Sequence, residues 1–313
     1  MPDLFAGPGG IDIAARQLGI HLTGIEQDTN AVATRRAAGL PTVHDTVLNH
    51  RPADYPEDRR VLTAGPPCQT FTFAGTGAGR AHLNALIKAV RSFGTVVPAD
   101  LDARTRLVLE PLRWIVDAWS DLHAYEAIVL EQVPAVLPIW QAYADVLERL
   151  GYSVATDIVN AEEYGVPQTR RRAVLIANLY SPVALPAPTH RRFVKGVPQS
   201  AGDPNLLPWR SMADVLPGRG PFTVVSNYGT GGDPKARGRR ASYEPAFTVT
   251  GKVSRVRLVG PDGHDLERFS HAEAGQLQGF PADHPWSGAD IPQQIGNAAP
   301  VQLARALLTA ATA

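Results

Sequence analysis

The first 26 residues constrain the fold more tightly than any other stretch of the chain. Asp3-Leu4-Phe5-Ala6-Gly7-Pro8-Gly9-Gly10 reads as a strand that ends in a glycine turn. Ile11, Ile13, Ala14, Ala15 and Leu18 follow at helical spacing, and Gly19 supplies a C-terminal cap. Leu22-Thr23-Gly24-Ile25 is a second strand, closed by Glu26. A strand, a glycine turn, a helix and a second strand ending in an acid predict an α/β fold. In dinucleotide-binding folds the acid at that position takes the hydroxyls of an adenosine ribose. Asp12 stands where the third glycine of G-x-G-x-x-G would be, so the turn suits an adenosine ligand without phosphates better than a pyrophosphate. S-adenosylmethionine is such a ligand.

The chain has one cysteine, Cys68, in Ala64-Gly65-Pro66-Pro67-Cys68-Gln69-Thr70. A single thiol makes no internal disulfide and no cysteine metal cluster, which leaves a small buried hydrophobe or a reactive nucleophile. The two prolines fix the backbone and remove two amide donors, so the segment is a rigid loop. Val61-Leu62-Thr63-Ala64 before it reads as a short buried strand. The thiol is thus expected just past a strand's carboxyl end, where open α/β sheets bind ligands.

At 313 residues, 44% hydrophobic and 19% charged, the chain can bury a large core and is expected to form one large and one smaller domain. No apolar run approaches the roughly 20 residues of a membrane span, and no charged-then-apolar leader is present. The expectation is a cytoplasmic protein, prokaryotic or phage, in a reducing compartment that suits a free thiol. The net charge of zero conceals a division. Residues 168–268 hold 16 Lys and Arg against 7 Asp and Glu, a net of +9, and the remainder holds 14 against 23, a net of −9. The basic stretch is either an arginine-rich solvated face or a surface for a phosphate backbone. A segregation this large, in a stretch also rich in Gly and Pro, favours the second. Asp45, in Val43-His44-Asp45-Thr46, suits either a hydrogen bond to an adenine amino group or the cap of a following turn.

The order of these and later motifs resembles that of the cytosine-5 DNA methyltransferases along nearly the whole chain. The opening resembles the family's DLFAGxGG cofactor motif, and Pro66-Pro67-Cys68-Gln69 its PPCQ motif. Glu131-Gln132-Val133 follows the apolar run Ala127-Ile128-Val129-Leu130 and resembles ENV. Gln168-Thr169-Arg170-Arg171-Arg172 matches QxRxR and leads into Ala173-Val174-Leu175-Ile176-Ala177. Glu273 with Leu277-Gln278-Gly279-Phe280-Pro281 resembles E…LQGFP, and Gln294-Ile295-Gly296-Asn297-Ala298 resembles QxGNA. The resemblance implies a Rossmann-like fold with a mixed seven-stranded sheet and a small β-rich target-recognition domain. It places Phe5, Gly7, Pro8, Gly10, Glu26, Asp45, Gly65, Pro67, Leu107 and Asn297 around S-adenosylmethionine, with no metal.

The same resemblance assigns the chemistry. Carbon 5 of cytosine is too weak a nucleophile to take a methyl group until a thiolate adds at carbon 6, and Cys68 would be that thiolate. Glu131 would hydrogen-bond or protonate ring nitrogen 3, and burial after an apolar strand is expected to raise its pKa. Arg172, with Arg170, would neutralise developing charge and orient the site. The plainer alternatives are a helix cap for Glu131, a solvated turn for the arginines and a turn role for Asn297. The target base lies in a duplex and must be flipped out.

Some features depart from the family pattern. Gln132 replaces the asparagine of ENV. Asp102-Ala103-Arg104-Thr105-Arg106-Leu107 carries D-x-R-x-x-L but lies 34 residues beyond Cys68. That leaves an extra piece near 81–100, where Leu83, Leu86, Ile87 and Val90 predict a short amphipathic helix. Glu267 and Arg268 sit one place off the usual arginine. The glycine run Gly75–Gly79 is expected to close over the flipped base.

The expected organisation is a discontinuous catalytic domain (1–183 and 290–313), a target-recognition domain (184–267) and a hinge segment (268–289). In the recognition domain Phe222-Thr223-Val224-Val225 and Phe247-Thr248-Val249-Thr250 are β-prone. Gln69, Lys235, Arg237, Arg239, Arg240, Lys252, Arg255 and Arg257 are candidates to hold duplex DNA, mainly through phosphates, with arginines of this set suited to guanine edges. The helix from Val301 to about Thr309 is expected to return to the first domain. The implied partners are double-stranded DNA and a cognate restriction endonuclease acting separately, with no membrane and a monomeric state. The rival functions are methylation of RNA cytosine, which an aromatic stacking surface would favour, a silent DNA-binding homologue, and a Rossmann dehydrogenase.

Overall fold

Alternate residues of the apolar runs fall on opposite faces of one sheet, because successive side chains of a strand point to opposite sides. The computed structural model describes residues 1–55, 60–67, 70–71, 81–97, 99–227 and 237–313. Seven strands form the sheet: β1 (Pro2–Leu4), β2 (Thr23–Glu26), β3 (Thr42–His44), β4 (Val61–Ala64), β5 (Ala127–Gln132), β6 (Ser153–Asn160) and β7 (Arg171–Asn178). Their order is β3-β2-β1-β4-β5-β7-β6. The first five are mutually parallel, and β7 runs antiparallel to both of its neighbours. The sheet is therefore mixed and seven-stranded, as expected. From β1 the chain moves outward to β2 and β3, then returns to β4 on the other side. That reversal opens a crevice past the carboxyl ends of β1 and β4.

Ile128 and Leu130 of β5, with Ala173, Leu175 and Ala177 of β7, join one core. The helices Leu83–Arg91, Glu110–Ser120 and Leu137–Arg149 cover that face. Trp114 and Trp140 are fully buried there, and burying a large apolar side chain contributes about 1.5–3 kcal/mol. Ala127, Val129, Val174 and Ile176 face a second core, closed by α1 (Gly10–Gln17) and the helix Val301–Ala311. Leu303, Leu307 and Leu308 of that last helix pack beside α1 as the sequence suggests.

The extra piece after the nucleophile motif does contain an amphipathic helix, Leu83–Arg91, with Leu86 and Val90 buried and Leu83 and Ile87 only partly so. Gly75–Gly79 lies outside the described residues. Asp12 serves the fold. Both of its carboxylate oxygens accept from the buried Arg35 guanidinium at 2.7 Å, which pins α1 to α2 (Thr29–Ala37) beneath the first turn.

A second, antiparallel sheet joins β8 (Thr223–Val225), β9 (Arg239–Ala241), β10 (Arg257–Val259) and β11 (Asp265–Leu266) in the order β11-β10-β8-β9. Its core includes Phe222, Val224 and Leu258, together with Ala274 and Leu277 of the helix His271–Leu277 and Ile295 of the helix Ile291–Asn297. Phe247–Thr250 is not a strand, contrary to its composition. Its hydrogen bonds go to a loop instead: Val249 N–H donates to Gln168 Oε1 at 2.8 Å and Thr248 Oγ1 to the Thr169 carbonyl at 2.7 Å. No described helix is long and apolar enough to cross a membrane.

Candidate active site

The first turn is built from strained and glycine positions. Phe5 has φ +59°, Gly7 +54° and Gly9 +104°, left-handed values that suit glycine and are uncommon for phenylalanine. A Cβ at Gly10 would lie 2.1 Å from the carbonyl oxygen of Ala299, so glycine there lets the C-terminal motif close on the turn. Glu26, half-buried at the end of β2, accepts from the Gly7 amide at 2.8 Å and the Asp28 amide at 2.7 Å. Burial raises its pKa, while these two amides pull it back down. The Gly9 amide is also engaged, donating to Ala6 O at 3.2 Å. The Gly7 and Gly9 amides are thus both engaged within the protein.

The β4 end lies beside this turn, and the Gly65 amide donates to Leu4 O at 3.2 Å. Pro66 and Pro67 continue into the crevice. Cys68 and Gln69 lie outside the described residues. The Gln132 side chain, at the end of β5, donates through Nε2 to the Pro66 carbonyl and accepts from the Val133 amide. The longer amide in place of asparagine therefore ties β5 to the residue two places before the thiol.

Glu131 and Arg172 come from adjacent antiparallel strands, with Glu131 opposite Val174. Arg172 Nε lies 2.7 Å from Glu131 Oε1, and both side chains are nearly buried. Arg170 lines the same crevice, but its guanidinium is committed to backbone. Nη1 donates to Val249 O at 2.8 Å, and Nη2 to Gly296 O at 3.1 Å and Ala298 O at 3.2 Å. Gln168, fully buried, donates to Leu277 O at 2.8 Å and to the Gln278 side chain. Gln278 in turn donates to Ile295 O and Ala298 O. One amide and guanidinium network thus joins three motifs far apart in sequence. At the joint, a Cβ on Gly296 would lie 2.1 Å from the Gly251 amide nitrogen.

The first turn, the end of β4, Glu131, Gln132, Arg170 and Arg172 gather around one cavity of about 290 Å³. Phe5, Gly7, Pro8, Gly10, Glu26, Asp45, Gly65, Pro67, Leu107 and Asn297 line it, and so do Glu131, Arg170 and Arg172. Asp45 makes a turn there: Oδ1 accepts from the Thr46 amide at 2.7 Å and from Asn49 Nδ2 at 2.9 Å, which lowers its pKa. The cavity also takes Ala6, Arg104, Gln132 and Gln294, which lie in the motifs without being named as site residues, and Ile25, Asp28 and Val47, which lie outside them. Asp28, two places after Glu26, carries the clearest overlooked signal. An acid for ribose hydroxyls, apolar walls from Phe5, Ile25, Val47 and Leu107, and a turn with spent amides suit a phosphate-free nucleoside such as S-adenosylmethionine. No group of three or more metal-ligating side chains occurs among the described residues.

The described candidate DNA contacts lie on the smaller lobe; Gln69 is not among the described residues. Arg239, Lys252, Arg255 and Arg257 are exposed, and Arg237 and Arg240 are half-buried. Arg257 is paired with Asp265 on the neighbouring strand, and Lys235 lies outside the described residues.

A model of the family described as C-5 cytosine-specific DNA methylase matches residues 1–91 and 126–201. The type II methyltransferase M1.HphI of Haemophilus parahaemolyticus is 29% identical over 349 residues, 98% of this chain and 85% of that protein. The type II methyltransferase M.AplI of Arthrospira platensis is 29% identical over 326 residues, 97% and 83% of the two chains. Among solved structures, the Dnmt2 methyltransferase of S. pombe superposes with a TM-score of 0.65 at 17% identity, covering 99% of this chain and 97% of that one. The methyltransferase EhMeth of Entamoeba histolytica gives 0.60 at 14% identity, with 98% and 95% covered. Both structures share the fold.

Proposed function

The chain belongs to the C-5 cytosine-specific DNA methylase family and is a DNA cytosine-5 methyltransferase; from that premise we propose that it acts on a flipped cytosine in a short duplex sequence, through a transient bond from Cys68, as the protective half of a restriction–modification system. The observation that carries the proposal is the Glu131–Arg172 pair, 2.7 Å apart, opening onto the cavity that also holds Glu26 and the Phe5–Gly10 turn. The type II designation of both relatives supports the setting.

Family and fold imply S-adenosylmethionine, which when bound supplies an electrophilic methyl group on a sulfonium. Glu26 would accept its ribose hydroxyls, and the apolar walls would hold its adenine. On the substrate side, extrusion of the base costs a few kcal/mol. The Cys68 thiolate then adds to carbon 6, forming a carbon–sulfur bond, while ring nitrogen 3 takes a proton from Glu131. Carbon 5 becomes the nucleophilic carbon of an enamine and gains the methyl group, whose bond to the donor's sulfur breaks to leave a neutral thioether, S-adenosylhomocysteine. A base, water in this reading, removes the carbon 5 proton; the electron pair re-forms the ring double bond, the carbon–sulfur bond breaks and nitrogen 3 returns its proton.

Arg172 orients Glu131 and offsets charge that develops on the ring. Gln132, through Pro66, steadies the approach of the thiol. Arg170 acts as a strut between lobes.

Incubation with S-adenosylmethionine and mixed-sequence duplex DNA, followed by nucleoside analysis and sequencing of modified positions, tests the proposal. The expected product is 5-methyldeoxycytidine confined to one short motif, and none from Cys68→Ser. Methylation on the exocyclic nitrogen, or product scattered over all cytosines, would contradict it.

A further inference from the structure

One wall of the cavity is a loop that hangs from the edge of the sheet. β3 is the edge strand among the described residues and pairs with β2, so the segment 45–50 beyond it needs a tether from elsewhere. Asp45, Thr46 and Val47 of that segment line the cavity. The tether comes from the helix Glu110–Ser120, where Arg113 Nη2 donates to the Val47 carbonyl at 3.1 Å and to the His50 carbonyl at 3.0 Å. Its own helix presets the fork. Nε donates to Glu110 Oε2 at 2.8 Å, and Nη1 to Asp117 Oδ2 at 3.5 Å. Arg104 and Leu107, just ahead of that helix, line the cavity as well. One guanidinium thus ties two walls of the cavity together without lining it itself.

What the tether fixes is the Asp45 carboxylate. Its Oδ1 is taken by the turn, through the Thr46 amide and Asn49 Nδ2. Its Oδ2 lies 3.2 Å from His50 Nε2, a close polar contact rather than an aligned hydrogen bond. A carboxylate oxygen has two lone pairs, so Oδ2 keeps acceptor capacity. The side chain is 40% exposed, and the residue lines the cavity. His50 is itself held at two points. Arg113 bonds its carbonyl, and its Nδ1 lies 3.3 Å from the Tyr55 hydroxyl. The Tyr55 ring packs 5.8 Å from that of Trp114, the neighbour of Arg113 and fully buried. The segment 47–55 therefore rests on one turn of one helix, and the position of Asp45 follows from it.

We propose that Arg113 is a positioning residue for cofactor selectivity: through the Val47 and His50 carbonyls it sets Asp45 so that Oδ2 accepts from the exocyclic amino group of the cofactor's adenine. The proposal rests on the S-adenosylmethionine reading above and extends it to a residue outside the cavity. An amino group on the purine donates to a carboxylate, whereas a carbonyl oxygen in its place would set acceptor against acceptor. The site then distinguishes adenine from hypoxanthine. Because a hydrogen bond weakens steeply with distance and angle, that distinction depends on where one arginine holds the loop.

The probes are S-adenosylhomocysteine and S-inosylhomocysteine, which carry adenine and hypoxanthine on the same thioether. Titration calorimetry on the intact chain gives the ratio of their dissociation constants. The parent should favour the adenosyl compound by about tenfold or more, the usual effect of one hydrogen bond to a charged group. Arg113→Met should bring the ratio below about 3. Asp45→Ala should do the same, with no further loss in the double variant, since both act through one contact. Thermal unfolding checks that each variant is folded. Should Arg113→Met not fold, Arg113→Lys, which keeps the charge but not the planar fork, carries the same comparison. A merely structural arginine would weaken both compounds alike, so a folded variant that keeps the parent ratio overturns the proposal. A parent that binds the two equally also overturns it and leaves the methylation reading standing. A parent that binds neither overturns the cofactor reading and this proposal together.

Discussion

On the proposed reading, Glu26 should couple cofactor binding to pH. Its pKa stands above the ordinary 4.5 because of burial, which the Asp28 and Gly7 amides offset in part. Ribose hydroxyls donate best to the ionised form. Affinity for S-adenosylmethionine should therefore be full well above that raised pKa and fall as pH drops through it. Glu26→Gln should bind about tenfold more weakly, in line with roughly 1.5 kcal/mol for a hydrogen bond to a charged group, and should lose the pH dependence. Titration calorimetry from pH 5 to 8 measures both effects. Gln132→Ala removes the link to Pro66. It should lower kcat about 10- to 100-fold with little change in cofactor KM, since a mispositioned reacting group costs rate more than binding. Steady-state kinetics at saturating duplex checks that split. Glu131 and Arg172 are legible in the sequence because a motif names each within a few residues. The Gln132–Pro66 bond and the Asp12–Arg35 pair are not, because their partners lie 66 and 23 residues away. The missing third glycine argues against a pyrophosphate, yet nothing local indicates that Asp12 serves a buried ion pair.

At the scale of elements, apolar runs mark the sheet reliably where the backbone hydrogen bonds go to other strands. Ala127–Gln132 and Arg171–Asn178 contain the runs read from composition. Phe247–Thr250 has the same β-rich composition and is not a strand, because Gln168 and Thr169 supply its partners. That segment instead joins the lobes, and Arg170 and Gly296 share the joint. Gly296→Ala forces a Cβ against the Gly251 backbone, which has no flexible end to move aside. The expected cost is about 1–3 kcal/mol, the usual range for overpacking, read as a lower urea midpoint. An unchanged midpoint would mean that the lobes part without cost.

At the scale of the whole molecule, the Gln294–Ala298 motif lines the cavity, and a pH-sensitive group lies between the two late motifs. His284 packs with Phe280 and Trp286, ring centres 4.8 and 4.5 Å away. Burial pushes its pKa down to about 4 from 6.5. The unfolded chain therefore takes up the proton first, so stability is full above about pH 6.5 and declines as pH falls toward 4. His284→Phe should flatten that decline in Tm between those values. The charge division between residues 168–268 and the remainder is legible by counting, whereas the cavity that gathers Glu26, Glu131 and Arg172 requires the fold to bring them together.

A duplex carrying 5-fluorocytosine blocks loss of the group at carbon 5, so a thiol that bonds to carbon 6 stays attached. Incubated with S-adenosylmethionine, the chain should give a denaturant-stable adduct whose digestion maps the modified peptide to Cys68, and Cys68→Ser should give none. Methylation of ordinary duplex without any adduct on the fluorinated one, or an adduct mapped elsewhere, would contradict the covalent route.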